Sequence, residues 1–236
     1  MKIAISGTYS TGKTTTTLAL AHLTGIPRTH AKTMREILPK ALPGKRLEDC
    51  NMPELFQLAI RRYSERVLNE GILDNDFFSD GSSLHEWVYG KGRLTVGINP
   101  NDKSSAKSLD LKTKEIYSQF IENLGSVVKQ HAQETYDEFI HLPVEFPLVE
   151  DGHRPVSEEF RALSDQLLLE SVKSLDIPYH VISGTIPERL QKIIDLYHFE
   201  PVMTIEEAIN ITQKETEQMK IEIEQFNNKI IKGQED

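Results

Sequence analysis

The chain has 236 residues, 38% of them hydrophobic, and a formal net charge of −9, which suits one large α/β domain with an appendage. This acidic balance argues against broad binding of nucleic acid or of an anionic membrane surface, because both require a basic face. The single cysteine, Cys50, excludes an intramolecular disulfide and a multi-cysteine metal site. No apolar run has the length of a membrane span, and a strand is predicted from residue 2, so we expect a cytoplasmic protein without a signal peptide.

A phosphate-loop pattern follows the first predicted strand, residues 2–6. Residues 7–14 read G-T-Y-S-T-G-K-T and match G-x-x-x-x-G-K-[ST] at every fixed position. The glycines let the backbone wrap a polyphosphate, Lys13 would reach its outer phosphates, and the Thr14 hydroxyl would ligate Mg²⁺. A glycine turn before a helix, here predicted over 13–23, is the alternative. The predicted nucleotide-binding residues are Gly7, Thr8, Tyr9, Ser10, Thr11, Gly12, Lys13, Thr14 and Thr15.

The next segment carries the first candidate contact to an acceptor. A short second strand is predicted near residues 27–31, followed by a helix over 32–38 that Pro39 should stop. Arg35 on that helix is a candidate for binding a substrate anion, and a surface salt bridge to an acid such as Glu36 is the alternative. Residues 41–52 have loop-like composition, and a long helix is predicted from residue 53 to about 69.

The sequence F-F-S-D-G at residues 77–81 predicts a third strand that ends in a carboxylate. Such a strand delivers Asp80 to the carboxyl edge of a parallel sheet, beside the phosphate loop. There Asp80 would act as the base for an acceptor hydroxyl or would help to hold Mg²⁺. Capping of the helix predicted from residue 82 is the alternative. His85 and Glu86 are candidates to line an acceptor pocket, whereas Trp87 is assigned to the core.

The second half continues the alternation. Residues 90–110 predict a long loop, residues 111–131 a helix, and 138–142 a strand. Residues 143–156 form an irregular segment, interpreted as a lid, in which Arg154 would stabilise a transferring phosphoryl group and Asp151 would contact the substrate. A surface loop is the alternative. A helix is predicted over 157–174 with Ser157 as N-cap, then a strand over 178–183 and a helix over 187–197. Ser183 and Gly184 lie where an adenine ring would be held.

The C-terminal part, residues 201–236, predicts an amphipathic helical extension of the domain formed by residues 1–200. A heptad-like stripe alternates steps of three and four along Ile209, Thr212, Thr216, Met219, Ile223, Phe226 and Ile230. Packing of this stripe on its own domain is the main interpretation, and a homodimer through it is the alternative.

These motifs together resemble the small P-loop kinases related to nicotinamide-riboside kinase domains and, more distantly, the deoxynucleoside kinases. The resemblance implies a P-loop NTPase three-layer α/β sandwich, with a five-stranded parallel sheet in the order 2-3-1-4-5, ATP as phosphoryl donor and Mg²⁺ as cofactor. It matches Asp80 to the acid of an Asp-Arg-Ser-type motif and Arg154 to a lid arginine. The chain departs from the pattern at Gly81, where relatives have Arg, and at Lys32, where they often have Glu.

The sequence therefore predicts an Mg·ATP-dependent kinase with a small-molecule acceptor that the residues do not identify. The alternative from another class is a regulatory or switch ATPase that acts on a protein partner through the C-terminal helix. A hydrolase must position a water molecule, and no Gln or Glu suited to this task is found beside the phosphate loop, which favours the kinase.

Overall fold

Strands and helices alternate along the chain in the computed structural model, which describes residues 1–30, 32–73, 75–102, 110–148 and 157–232. The strands are β1 (Lys2–Ser6), β2 (Arg28–His30), β3 (Phe77–Asp80), β4 (Glu138–His141) and β5 (Tyr179–Val181). The helices are α1 (Lys13–Thr24), α2 (Met34–Ala41), α3 (Met52–Gly71), α4 (Leu84–Val96), α5 (Leu111–Thr135), α6 (Glu158–Ser174), α7 (Ile186–Tyr197) and α8 (Ile205–Lys232).

The five strands form one parallel sheet in the order β2-β3-β1-β4-β5, as predicted. β1 is central, and Ile5 near its end pairs with Asp80 of β3 on one side and with Ile140 of β4 on the other. Because all strands run in the same direction, their carboxyl ends meet at one edge of the sheet. The phosphate loop leaves β1 at that edge.

Helices cover both faces of the sheet. Successive strand residues point to opposite sides, so Phe77 and Phe139 join a core with α4, α5 and α6. Phe78 and Ile140 join a second core with α1, α7 and α8. The predicted three-layer sandwich is therefore confirmed.

Polar side chains fix where several helices begin. The Asn51 side chain accepts a hydrogen bond from the Glu54 N–H at 3.1 Å, and the Glu54 carboxylate accepts from the Asn51 N–H at 2.9 Å, which makes a capping box for α3. At α6 the Ser157 hydroxyl accepts from the Phe160 N–H at 3.2 Å, which confirms the predicted N-cap.

Two predictions about helix ends were wrong. Pro39 does not stop α2, because the helix continues to Ala41 and the Leu42 N–H still reaches the Leu38 carbonyl at 2.9 Å. Proline removes a single donor from the helix, and the burial of Ile37 and Leu38 against Cys50 and its neighbours offsets that loss.

The second error is the loop predicted from residue 90, since residues 90–96 form the last two turns of α4. The glycines that suggested a loop are packing positions instead. A Cβ atom at Gly90 would lie 2.6 Å from Cδ1 of Ile121, and one at Gly92 would lie 2.7 Å from the Phe160 ring. Close approach of α4 to its neighbours therefore explains both glycines.

Helix α8 packs on α1, α2 and α7 of its own chain. Ala208 and Thr212 are fully buried, and the Glu215 carboxylate lies 2.7 Å from Nε2 of His22 and 3.5 Å from the Arg28 guanidinium. Of the predicted stripe, Ile209 and Thr212 thus face the domain, while Phe226 is exposed, and the homodimer stays a prediction. None of the helices in the described residues combines the length and the apolar character needed to cross a membrane.

Candidate functional site

The phosphate loop occupies the connection between β1 and α1, and its glycines adopt backbone angles that other residues rarely reach. Gly7 and Gly12 have φ values of 137° and 82°, in the region that favours glycine. A Cβ atom at Gly7 would lie 2.6 Å from the Leu142 carbonyl oxygen. Ser10 at the tip also has a positive φ of 55°. The loop is therefore tightly wrapped, as a polyphosphate site requires.

Side chains of the loop converge on its own backbone. The Lys13 ammonium donates to the Thr8 carbonyl at 2.5 Å, and the Thr11 hydroxyl donates to the same oxygen at 3.0 Å. Thr14 is exposed and Thr15 is half-buried at the first turn of α1. The N–H groups of this first turn have no partner inside the helix, and together with the helix dipole they suit an anion.

Tyr9 leaves the loop and joins an aromatic cluster. Its ring stacks on Tyr89 of α4 with centroids 4.5 Å apart and lies 6.0 Å from Phe160 of α6. Arg93, which is also buried, lies with its guanidinium 5.7 Å from the Phe160 ring. This cluster connects the tip of the phosphate loop to α4 and α6.

Asp80 lies half-buried at the end of β3, on the strand next to the one that leads into the phosphate loop. The Gly81 N–H donates to the Ile5 carbonyl at 3.0 Å. Arg66 of α3 donates to the Asp80 carbonyl at 3.2 Å, and a Cβ atom at Gly81 would lie 3.1 Å from the same guanidinium nitrogen. Arg66 thus takes the space next to residue 81, which accounts for the glycine there.

A buried polar network supports this strand end. Arg66 also donates to the Ser79 hydroxyl at 2.9 Å, and that hydroxyl donates to the Glu70 carboxylate at 2.5 Å. Tyr136 and His131 bond the same carboxylate at 2.8 and 2.7 Å. Through Arg66 the network reaches the backbone carbonyl of Asp80. Sequence reasoning missed it, because its members come from α3, β3, α5 and the residue after α5 and share no local pattern.

The residues that follow Asp80 have different surroundings. His85 is buried, its Nε2 lies 2.9 Å from the Gly7 carbonyl oxygen, and its Nδ1 accepts from the Ser82 N–H at 3.0 Å. Trp87 is buried in the core, as expected. Glu86 is buried, and its Oε1 makes no hydrogen bond within the described part of the chain. Among the described residues, Nη1 of Arg62 lies 3.6 Å from this Oε1.

On the other side of the loop, Ser183 and Gly184 connect β5 to α7. The Gly184 N–H donates to the Glu145 carboxylate at 2.8 Å, and Arg189 donates to the same oxygen at 2.7 Å. Arg189 also donates to the Thr11 carbonyl at 2.5 Å. The sequence analysis gave no role to Arg189 or to Glu145.

The contacts given above include none of the candidate residues Asp151, Arg154 and Arg35. Asp151 and Arg154 lie outside the described residues, together with most of the segment interpreted as a lid. Arg35 lies on α2, but the structure gives no account of its side chain. Their roles stay predictions.

The phosphate loop, Thr14 and Asp80 fit the ligand that the loop implies, a nucleotide with bound Mg²⁺. The tight curvature at Gly7 and Gly12 leaves the loop amides able to approach phosphate oxygens closely. Thr14 and Asp80 offer a hydroxyl and a carboxylate, which are oxygen donors of the kind Mg²⁺ prefers. The described residues contain no group of three or more His, Cys, Asp or Glu suited to a metal, and a nucleotide-bound Mg²⁺ takes its remaining ligands from phosphates and water.

Comparison with known proteins gives one family match and several structural matches. A family model described as an AAA domain matches residues 2–189. The structure of deoxyadenosine kinase from M. mycoides with bound dATP aligns with a TM-score of 0.58 and 17% identity, covering 84% of this chain and 100% of that chain. The NadR protein in complex with NAD and AMP-PNP aligns with a TM-score of 0.52 and 17% identity, covering 84% of this chain and 48% of that chain.

A second NadR structure, in complex with NR, has a TM-score of 0.53 and 15% identity, with coverage of 86% and 51%. At these identities the likeness shows a shared fold, and it is the fold of the two kinase groups that the motifs resemble. No curated protein sequence matches the chain.

Proposed function

The chain belongs to the AAA domain family, and from this premise we propose that it is an Mg·ATP-dependent kinase that phosphorylates a hydroxyl group of a small molecule. The observation that carries the proposal is the position of Asp80 beside the phosphate loop at one edge of the sheet. A nucleotide-binding loop alone implies no reaction, whereas a carboxylate next to it suits proton transfer from an attacking hydroxyl.

Each residue then has a role. Lys13 and the loop N–H groups would hold the β- and γ-phosphates, Thr14 would hold Mg²⁺, and Asp80 would accept the acceptor's proton or orient a metal-bound water. ATP supplies the phosphoryl group. We further propose that residues 143–156 form a lid whose Arg154 stabilises charge during transfer and whose Asp151 contacts the substrate.

The buried carboxyl group of Glu86 supports a polar acceptor. A buried oxygen without a hydrogen-bond partner is costly, and an acceptor that donates to Glu86 would remove that cost. The fold-level likeness to a deoxyadenosine kinase supports a nucleoside-like molecule. Arg35 remains our proposed contact to the acceptor, whereas we assign His85 to the phosphate loop, since its Nε2 lies 2.9 Å from the Gly7 carbonyl oxygen.

The test is a phosphoryl-transfer assay with purified protein, ATP, Mg²⁺ and a pooled library of nucleosides, sugars and other alcohols. Mass spectrometry would detect a gain of one phosphoryl group on one acceptor. We expect Lys13→Ala to abolish turnover, and Asp80→Asn to lower kcat by about 10²- to 10⁴-fold, the usual contribution of a general base. The affinity for ATP should change far less in Asp80→Asn.

Asp137→Asn is the matched control. Asp137 accepts the Lys2 N–H at 2.7 Å at the opposite edge of the sheet, so its loss should leave kcat unchanged. A wild-type kcat in Asp80→Asn would exclude Asp80 as the base.

The packing of α8 on α1, the helix that follows the phosphate loop, favours a second candidate, the switch ATPase. A partner that moved α8 would act directly on the nucleotide site. Steady ATP hydrolysis without any acceptor, stimulated by a protein partner, would support this alternative and oppose the kinase.

A further inference from the structure

Two buried side chains from outside the phosphate loop hold backbone carbonyls near its two ends. Nε2 of His85, on α4, lies 2.9 Å from the Gly7 oxygen, and Nη1 of Arg189, on α7, donates to the Thr11 oxygen at 2.5 Å. His85 is 3% exposed and Arg189 is 0% exposed. Because both side chains are buried, water does not compete with them for the two carbonyl oxygens.

The direction of these carbonyls fixes the direction of the neighbouring amides. In a trans peptide group the C=O and the N–H point in opposite directions, and the described residues contain no cis peptide bond. Donors that hold the Gly7 and Thr11 oxygens outward therefore turn the N–H groups of Thr8 and Gly12 away from those donors, toward the loop. Inward N–H groups are the ones that bind phosphate oxygens.

The contact with Gly7 requires one tautomer of His85, because a carbonyl oxygen only accepts and the neutral ring must then carry its proton on Nε2. Nδ1 lies 3.0 Å from both the N–H and the carbonyl oxygen of Ser82, and in this tautomer it accepts from the N–H. Burial, and then the positive charge of Lys13, hold the pKa of His85 well below its ordinary value. The ring therefore donates from Nε2, and the turn after Asp80 fixes its orientation.

Arg189 is immobilised by its own partners. Its Nη2 donates to the Glu145 carboxylate at 2.7 Å, which also accepts the Gly184 N–H at 2.8 Å. Its guanidinium lies 4.8 Å from the centre of the Phe146 ring. A Cβ atom at Gly12 would lie 3.3 Å from that ring and 3.4 Å from Arg189. The loop end is thus packed against a rigid donor.

We propose that His85 and Arg189 are positioning residues that orient the phosphate loop for a polyphosphate before the ligand arrives. The proposal rests on the proposed function only in taking a polyphosphate as the loop's ligand. Neither side chain has to touch the nucleotide, since each acts through a backbone amide, that of Thr8 or that of Gly12. A loop oriented in advance binds its anion without the cost of reorganisation.

The test measures binding of inorganic tripolyphosphate by calorimetry, together with the unfolding temperature of each variant. Arg189→Met and His85→Leu remove the donors, and each should weaken tripolyphosphate binding about tenfold, the order expected for one well-placed hydrogen bond. His85→Gln keeps an N–H near the position of Nε2 and should restore binding to within about threefold. Arg189→Lys keeps the charge but reaches only one oxygen, so its affinity should be intermediate.

Tyr197→Phe is the control. The Tyr197 hydroxyl donates to the carboxylate of Glu138, the first residue of β4, at the edge of the sheet opposite to the phosphate loop, so the variant loses a hydrogen bond without releasing a carbonyl of that loop. Its unfolding temperature should fall while its tripolyphosphate affinity stays at the wild-type value.

Wild-type affinity in Arg189→Met and His85→Leu would overturn the proposal. If Arg189→Met does not fold, wild-type affinity in Arg189→Lys decides against Arg189. If His85→Leu does not fold, a loss of about tenfold in folded His85→Gln decides against His85. An equal loss of affinity in Tyr197→Phe would show a structural effect only and would also overturn it. A wild-type protein that binds tripolyphosphate and ATP but phosphorylates no acceptor would refute the kinase and leave the roles of His85 and Arg189 intact.

Discussion

At the scale of single residues, two buried glutamates near the end of β3 have pKa values shifted in opposite directions. Burial raises the pKa of Glu70, but the bonds from His131, Arg66 and its other partners outweigh burial and lower it below the ordinary value. Burial also raises the pKa of Glu86, and there Arg62, 3.6 Å away, does not compensate. Partners, rather than burial alone, therefore decide the direction of each pKa shift.

These shifts predict opposite pH dependences of stability for Glu70→Gln and Glu86→Gln. Because the pKa of Glu70 is lowered in the folded state, its ionisation stabilises the fold above the unfolded-state pKa of about 4.3. This stabilisation is lost as pH falls through the folded-state pKa. Glu70→Gln should therefore lower the free energy of unfolding at pH 7 by about 3 kcal/mol, as expected for a broken buried pair, with a smaller loss at pH 4.

Because the pKa of Glu86 is raised in the folded state, the fold loses stability as pH rises above the unfolded-state pKa, where the buried carboxyl group must ionise at a cost. Glu86→Gln should therefore raise the free energy of unfolding at pH 7 and leave it nearly unchanged at pH 4. Urea unfolding of wild type and both variants at the two pH values provides the measurement. Parallel changes in the two variants would contradict the assignment of opposite shifts.

At the scale of elements, helical glycines mark where helices approach closely. A Cβ atom at Gly125 of α5 would lie 2.6 Å from Cδ1 and Nε1 of Trp87 on α4, whereas one at Gly71, the last residue of α3, would meet nothing within 4 Å. Both glycines are helical, so helix propensity alone predicts the same effect of an alanine on stability at each position. Their different tertiary packing makes the two effects differ.

Alanine substitution should therefore change stability in opposite directions at these two positions. Gly125→Ala should lower the free energy of unfolding by about 1–3 kcal/mol, because the rigid indole ring cannot yield easily. Gly71→Ala should raise it by up to about 1 kcal/mol through helix propensity. Urea midpoints would measure both, and a stabilised Gly125→Ala would mean that α4 and α5 are packed less closely than described.

At the scale of the whole molecule, α8 completes the layer that covers α1. Thr212 is fully buried in this contact, and the pairs of Glu215 with His22 and Arg28 lie near it. The stability of the nucleotide-binding half and the position of the C-terminal helix are thus linked.

Thr212→Asp tests this arrangement. A carboxylate buried without a partner should lower the unfolding temperature by roughly 5–10 °C, since each kcal/mol shifts the midpoint by about 2–4 °C in a domain of this size. Gln213→Asp, at the neighbouring exposed position, is the control and should change little. Light scattering on the same samples separates the two interpretations of the stripe: an unchanged mass agrees with packing on the same chain, and a fall from dimer to monomer mass would support the homodimer.

The sequence by itself determined the phosphate loop, the strand that delivers Asp80 and the alternation that gives the parallel sheet. These features depend on residues adjacent in the chain, whose backbone preferences and periodicity are readable without partners. Prediction from neighbouring residues was wrong at Pro39 and at residues 90–96, where proline and glycine were expected to end a helix. Packing against α3, α5 or α6 keeps both segments helical.

Only the tertiary structure decided which side chains support the loop. His85 meets Gly7 across 78 positions and Arg189 meets Thr11 across 178, while the carboxylate of Glu145 meets Arg189 across 44. A hydrogen bond depends on distance and direction in space, and these are set by the order of the strands and the packing of the helices. No spacing along the chain carries that information.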